Sequence, residues 1–436
     1  MKFLTIGLFL LLQSPLAEAI ILSETYLSGK EVCEKNKNPK ELSFRVDVPI
    51  DYKDPQLGST SLYAWTHKPF NPQLRTLIFV AGGPGNTSHS SLLEFSDWNV
   101  VFFDQRGNSC SRPDSESLYL DRRFYSSENT ARDIEEIRKH LKVNQLSVYG
   151  VSYGTVPAHL YGHLFPESTR AIVLEGIIYR GGDSLMSPPH TRKIIQDFFD
   201  SLDFKSQSKI LELSNHPHLK SNWFSNVAQK MFYLDHATDK FKAFLDILLN
   251  NDAMAMTLIP NYVDHEPVDT EYGFGDVMMG MIGCQELGMN SSTASFYSIF
   301  EKDKLVSDND NVFQKNYCES LGFIADESMP LYQADHFPSK APITYFQGSH
   351  DSATVLPEAK HHFQNAAKGF AQFIQINKGG HLPVFGTINS AYESQESIES
   401  RATLLKTALL GKEIKNKDLE SVEEISELKW LKTIKD

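Results

Sequence analysis

Three residues far apart in the chain have the types that together make a serine nucleophilic. Ser152 stands in Gly150-Val151-Ser152-Tyr153-Gly154, Asp351 ends Gly348-Ser349-His350-Asp351, and His381 ends Gly379-Gly380-His381. A neutral serine hydroxyl attacks poorly; it needs a base within hydrogen-bond reach and a third group that orients the base. Serine, then acid, then histidine is one of the chain orders in which such triads occur. Ser152 is then the nucleophile, His381 takes its proton and returns it to the leaving group, and Asp351 holds the imidazole in the required tautomer. Other histidines compete for the base. His361 and His362 fall in an expected helix and read as surface residues, while His350 precedes the acid and would point elsewhere.

A developing oxyanion needs backbone donors. Gly82-Gly83-Pro84-Gly85 is a turn whose N–H groups can face one, with Gly83 the first donor and the N–H of Tyr153 the second. The turn lacks the Lys and Ser/Thr of a phosphate loop, which argues against nucleotide binding.

These residues need elements that hold them. Arg75 to Ala81, Asn99 to Asp104, Leu146 to Tyr149, Ala171 to Leu174, Ile343 to Phe346 and Phe370 to Ile376 are short apolar runs, suited to strands buried on both faces of a parallel sheet. Leu42 to Pro49 and Ser61 to His67 alternate and read as a hairpin pair. Helices are expected after Ser126, from Tyr153 to Leu164, around Pro357 to Ala367, and from Ser394 to Leu410. Strand and helix in this rhythm define an α/β domain. Ser152 then sits between a strand and a helix, and Asp351 and His381 each follow a strand, at the sheet edge where open parallel sheets place their sites. The rhythm breaks over 181–338, where helical patterns such as Thr191 to Leu202 and Phe241 to Leu249 suggest an inserted, mostly helical cap between core segments 20–180 and 339–436. The charged stretch Lys412 to Asp436 reads as a solvated helix or loose tail.

The 436 residues are 41% hydrophobic and 22% charged, ordinary globular usage, and the net charge of -13 argues against nucleic acid and anionic lipid as partners. Lys2, the apolar run Phe3 to Leu12 and Ala17-Glu18-Ala19 have the form of a cleavable signal peptide over 1–19, too short to span a membrane, which needs about 20 apolar residues. The protein is therefore expected to be secreted or periplasmic, with no membrane span after cleavage. Cys33, Cys110, Cys284 and Cys318 suit that compartment. Three pairings are possible; Cys33–Cys110 with Cys284–Cys318 is favoured because each pair then lies within one structural region. None has metal-ligand spacing, and no metal or other cofactor is expected.

With these residues in place, the chain resembles the proline iminopeptidase and tripeptidyl aminopeptidase-like group of α/β hydrolases. The resemblance rests on Gly82 to Gly85, Asp104-Gln105-Arg106-Gly107, Gly150 to Gly154, Gly348 to Asp351 and Gly380-His381; Val48-Pro49-Ile50-Asp51-Tyr52 with Pro55, and Cys284 followed by Cys318, are similar to the tripeptidyl branch. It implies an α/β-hydrolase fold, a mostly parallel sheet flanked by helices with a helical cap. It further implies release of amino-terminal residues from peptides with a free N-terminus, through an acyl-enzyme and without a metal. Carboxylates at the cap hold the amino terminus in that group, which makes Glu175 and Glu286 candidates here. An ordinary solvated or helix-capping role is the alternative for both. Ala81, Ser109, Val151 and Tyr153 depart from the proline iminopeptidase pattern and weaken strict proline specificity. Arg106 is expected to anchor its loop through ion pairs. An esterase-like hydrolase with the same triad, and a non-catalytic binding protein on this scaffold, are the competing readings.

Overall fold

Apolar runs that can face protein on both sides form the middle of the sheet. Arg75–Val80 (β3), Trp98–Phe103 (β4), Leu146–Val151 (β5), Thr169–Glu175 (β6), Ile343–Gly348 (β7) and Ala371–Ile376 (β8) pair in parallel. The alternating segments Ser43–Pro49 (β1) and Ser59–Thr66 (β2) form an antiparallel hairpin that joins β4 antiparallel, and Trp430–Lys435 (β9) pairs antiparallel with β8. The strand order is β1-β2-β4-β3-β5-β6-β7-β8-β9. This computed structural model describes residues 26–35, 42–88, 91–182, 188–219, 223–264, 276–288, 331–390 and 393–435. The expected signal segment and Cys318 lie outside them.

Both faces of the sheet are covered. On one, Ser127–His140 (α2) and Thr155–Leu164 (α3) bury Ile134, Ile137, Val156 and Tyr161; α2 begins where the Ser126 hydroxyl accepts from the Asn129 N–H at 2.9 Å. Leu356–Asn365 (α10) lies on the same side. On the other, Gln395–Leu409 (α11) buries Leu404, Leu405 and Leu409. Gly29–Lys35 (α1) is tied to the loop after β4 by the Cys33–Cys110 disulfide. Cys284 is also disulfide-bonded.

Between β6 and β7 run Pro188–Ser201 (α4), Phe204–Ser214 (α5), Trp223–Met231 (α6), Ala237–Leu249 (α7), Asp252–Asp264 (α8) and Asp276–Gln285 (α9). The first five close around their own cluster, which includes Phe198, Trp223, Phe224 and Phe241. The last packs Met278, Met281 and Ile282 into the main core. Among the described residues no helix is long and apolar enough to cross a membrane.

The charged stretch read as a solvated helix or loose tail is a packed helix followed by an edge strand. Asn416–Ser426 (α12) buries Leu419 and Val422, and β9 buries Trp430, whose indole N–H donates to Ser426 Oγ at 3.2 Å. The lysines that made the segment read as solvated are tied down at the sheet edge: Lys432 meets Glu413 and the Ile414 carbonyl, each at 2.7 Å, and Lys435 donates to the Ala367 carbonyl at 2.9 Å.

Candidate active site

Ser152 follows the end of β5, with a φ of 53° that L side chains seldom adopt. The turn can be this tight only because of its glycines. A Cβ on Gly150 would lie 2.2 Å from the Gly154 carbonyl oxygen, and one on Gly154 would lie 2.2 Å from the Val80 carbonyl oxygen at the end of β3. The first N–H groups of a helix have no partner inside it, so the start of the turn into α3 is open to an anion. The Gly82 turn leans on the serine: a Cβ on Gly82 would sit 2.8 Å from Ser152 Cβ. Gly83 and Ser152 line one cavity of about 470 Å³, together with His381, Phe79, Leu382 and Phe385. Tyr153 is fully buried, and its hydroxyl meets Ser127 Oγ at 2.9 Å.

The His381 ring, 5% exposed as a residue, places Nδ1 2.8 Å from Asp351 Oδ2. Asp351 is fully enclosed, with every acceptor direction used. Oδ1 accepts from the N–H groups of Ala353 (2.8 Å) and Thr354 (2.9 Å), and Oδ2 accepts also from Gln347 Nε2 (2.9 Å) and Thr354 Oγ1 (2.7 Å). These bonds fix the orientation of the carboxylate. The structure thus brings Asp351 and His381 together and sets His381 and Ser152 on one cavity.

The other histidines are placed elsewhere. His350 packs its ring on Phe232. His361 is exposed, but His362 corrects the expectation of a surface residue. It is completely buried, with Nδ1 3.0 Å from the Tyr345 hydroxyl and its ring against His159, and burial lowers its pKa to about 3. It lies on the face of α10 turned to the sheet, one position round from the wet face.

The loop carrying His381 is gripped on several sides through its backbone. Lys378 N–H donates to Ser349 Oγ at 2.9 Å, Gly380 N–H to Asp235 Oδ1 at 2.9 Å, and His381 N–H to the Tyr233 carbonyl at 3.0 Å. Arg401 Nε donates to the Pro383 carbonyl at 3.0 Å, and the N–H groups of Val384 and Phe385 donate to Glu175 at 2.6 and 3.1 Å.

Glu175 therefore has a different place from the one the resemblance implied. Its carboxylate is fully buried, takes those two N–H groups and the Tyr149 hydroxyl, and is not among the residues lining the cavity. A carboxylate at the end of a strand turns to whichever side offers donors, and here the loop after His381 offers two. Burial pushes its pKa up to about 7, against the opposing effect of its hydrogen bonds. The unfolded chain releases that proton near the ordinary value of 4.5, so between these limits the folded protein holds an extra proton and loses stability as pH rises. Glu175→Gln should abolish that decline, worth about 3 kcal/mol. Denaturant unfolding of both proteins at pH 5 and pH 8 checks it; an unchanged pH dependence in the variant refutes it.

Glu286 is half-buried and caps α2. Its Oε1 accepts from the Ser127 N–H at 2.9 Å, and its Oε2 accepts from the Ser127 hydroxyl, which also meets Tyr153. Burial raises its pKa. The helix-capping alternative describes this arrangement, and the carboxylate backs the residue after Ser152. Arg106 is fully buried, its Nε and Nη2 paired with Asp133 at 2.8 and 2.6 Å and its Nη1 on the Ile50 carbonyl at 2.8 Å. It anchors the loop, whose Gln105 Nε2 holds the Ala81 carbonyl at 2.9 Å just before the Gly82 turn. Sequence reasoning missed Asp235 and Tyr233 altogether, because nothing in a run of helices marks the turn that will touch a distant loop.

Known proteins resemble this chain in sequence. The family model for the alpha/beta hydrolase fold matches residues 75–386. The chain belongs to that family. It is 31% identical over 134 residues to the proline iminopeptidase of Arabidopsis thaliana, covering 27% of this chain and 33% of that protein. Over 110 residues it is 30% identical to a probable proline iminopeptidase of Leptolyngbya boryana, covering 24% of this chain and 33% of the relative. The matched stretch thus spans about a third of these relatives. The crystal structure of proline iminopeptidase from Mycobacterium smegmatis aligns with 84% of this chain and 98% of its own, at 13% identity and a TM-score of 0.42.

Proposed function

We propose that the protein is an exported serine aminopeptidase that releases residues from the free amino terminus of peptides through an acyl-enzyme on Ser152. The observation that carries this reading is the left-handed Ser152 turn sharing one cavity with His381, whose Nδ1 is held by Asp351. In the reaction, Ser152 Oγ attacks the scissile carbonyl carbon as its proton passes to His381 Nε2. The N–H groups of Gly83 and Tyr153 take up the charge on the carbonyl oxygen. His381 then protonates the leaving amine, the C–N bond breaks, and water repeats the sequence in reverse roles to free Ser152. The similarity to proline iminopeptidases supports the choice of peptide amino termini, and the Cys33–Cys110 disulfide supports an oxidising, exported setting.

The test has two arms. A fluorophosphonate probe should label the wild-type protein and not Ser152→Ala; an unlabelled, folded wild type would point to a non-catalytic binder. A peptide library read by mass spectrometry should show cleavage counted from free amino termini, whether one residue or three are released, and at least a tenfold loss on N-acetylation, about 1.4 kcal/mol of discrimination. Indifference to acetylation, with turnover of simple esters, would make it an esterase.

A further inference from the structure

We infer that Asp235, in the turn between α6 and α7, is a positioning residue for the general base, so that the helical insertion sets the aim of His381. The inference rests on the reading of Ser152 and His381 above. Two N–H groups of the His381 loop, those of Gly380 and His381, have their acceptors in this one turn: Asp235 Oδ1 at 2.9 Å and the Tyr233 carbonyl at 3.0 Å. A third bond runs the other way, from the His236 N–H to the Lys378 carbonyl at 3.2 Å. The fit leaves no room for adjustment at Gly380, where a Cβ would lie 2.4 Å from the Tyr233 carbonyl oxygen. The Tyr233 ring stands edge-on to the His381 ring, centroids 5.1 Å apart, and lines the same cavity.

The geometry divides the work. Asp351 fixes the ring of His381 through Nδ1, and the turn fixes the backbone from which that ring projects. Asp351 alone leaves the imidazole free to pivot about its hydrogen bond, and base catalysis falls quickly when the base moves out of line with the hydroxyl. Asp235 is a half-buried carboxylate, so its bond to Gly380 is charge-assisted and stronger than the neutral Tyr233 contact beside it. The anchoring extends behind the turn, where His236 Nε2 meets the Ser426 carbonyl at 2.7 Å. Asp235 has no contact with the reacting atoms and acts through the loop.

The experiment compares Asp235→Ala with Asp235→Asn, which keeps an acceptor for the Gly380 N–H. The alanine variant should lose about tenfold in kcat, and in the rate of fluorophosphonate labelling, with KM within twofold of wild type. The asparagine variant should recover most of that loss. Asp203→Ala serves as the control: it removes the cap of α5, where Asp203 accepts from the Ser206 N–H at 3.0 Å, and touches nothing near His381. It should lower thermal stability and leave kcat within twofold. Equal kcat losses in Asp235→Ala and Asp203→Ala, or a folded Asp235→Ala with wild-type kcat, overturn the inference. A rise in KM with kcat unchanged makes Asp235 a substrate-binding residue instead and overturns it too. If Asp235→Ala does not fold, hydrogen exchange of the wild-type Gly380 amide decides: slowing by 100-fold or more over an open amide supports the bond, and free exchange overturns it. Failure of the probe to label wild type tells against Ser152 itself and is read separately.

Discussion

Asp351→Asn should lower kcat by about 10⁴-fold while leaving the fold intact. The carboxylate receives five donors, from Ala353, Thr354 twice, Gln347 and His381. An asparagine placed with its oxygen toward the two backbone N–H groups must turn its NH2 toward His381 Nδ1. The imidazole then presents a lone pair at Nδ1 and carries its proton on Nε2, which is the nitrogen that must accept from Ser152. The base is present and in the wrong tautomer. Steady-state kinetics on a peptide substrate, with circular dichroism to show a native fold, tests this; a loss smaller than tenfold would mean that another acid orients the base.

Arg106→Met should cost the largest share of stability, about 3–5 kcal/mol, because it strands Asp133 without its partner. Arg106 and Asp133 have 1% and 0% exposed side chains, and burial already pushes the Asp133 pKa up even with the guanidinium in place. Tyr52, which donates to Asp133 Oδ1 at 3.0 Å, cannot replace a cation. The paired change Arg106→Met with Asp133→Leu removes both charges and should restore most of the stability, since replacing a whole buried pair is far cheaper than halving it. Urea unfolding of the three proteins gives the comparison, and a single variant within 1 kcal/mol of wild type would show the pair to be dispensable. Activity should fall with the single variant as well, because the same loop carries Gln105 and its hold on the Ala81 carbonyl.

The parts of the site legible in the sequence are those where function restricts residue type. Gly150 and Gly154 had to be small because two backbones pass within contact distance, and that need is written in the composition of the turn. The parallel strands were legible because burial on both faces demands unbroken apolar runs, as in Val100 to Phe103. The charged end of the chain was not, because an edge strand such as Trp430–Lys435 needs only one apolar anchor, and its lysines conceal the pattern. For Glu175 and Glu286 the sequence left a substrate-holding role and an ordinary or helix-capping role both open, since a carboxylate near a site can serve a ligand, a helix end or a loop with equal chemical sense. The choice depends on which donors lie within 3 Å, and that is a property of the folded chain.

The grip on the His381 loop has a consequence for how such proteins diversify. Tyr233 contributes its carbonyl oxygen, which any amino acid could supply, and only a single carboxylate next door depends on side-chain identity. A foreign helical module could therefore be exchanged for the five helices α4 to α8, which close around their own cluster. It would have to deliver one main-chain oxygen and one side-chain acceptor to the same two amides.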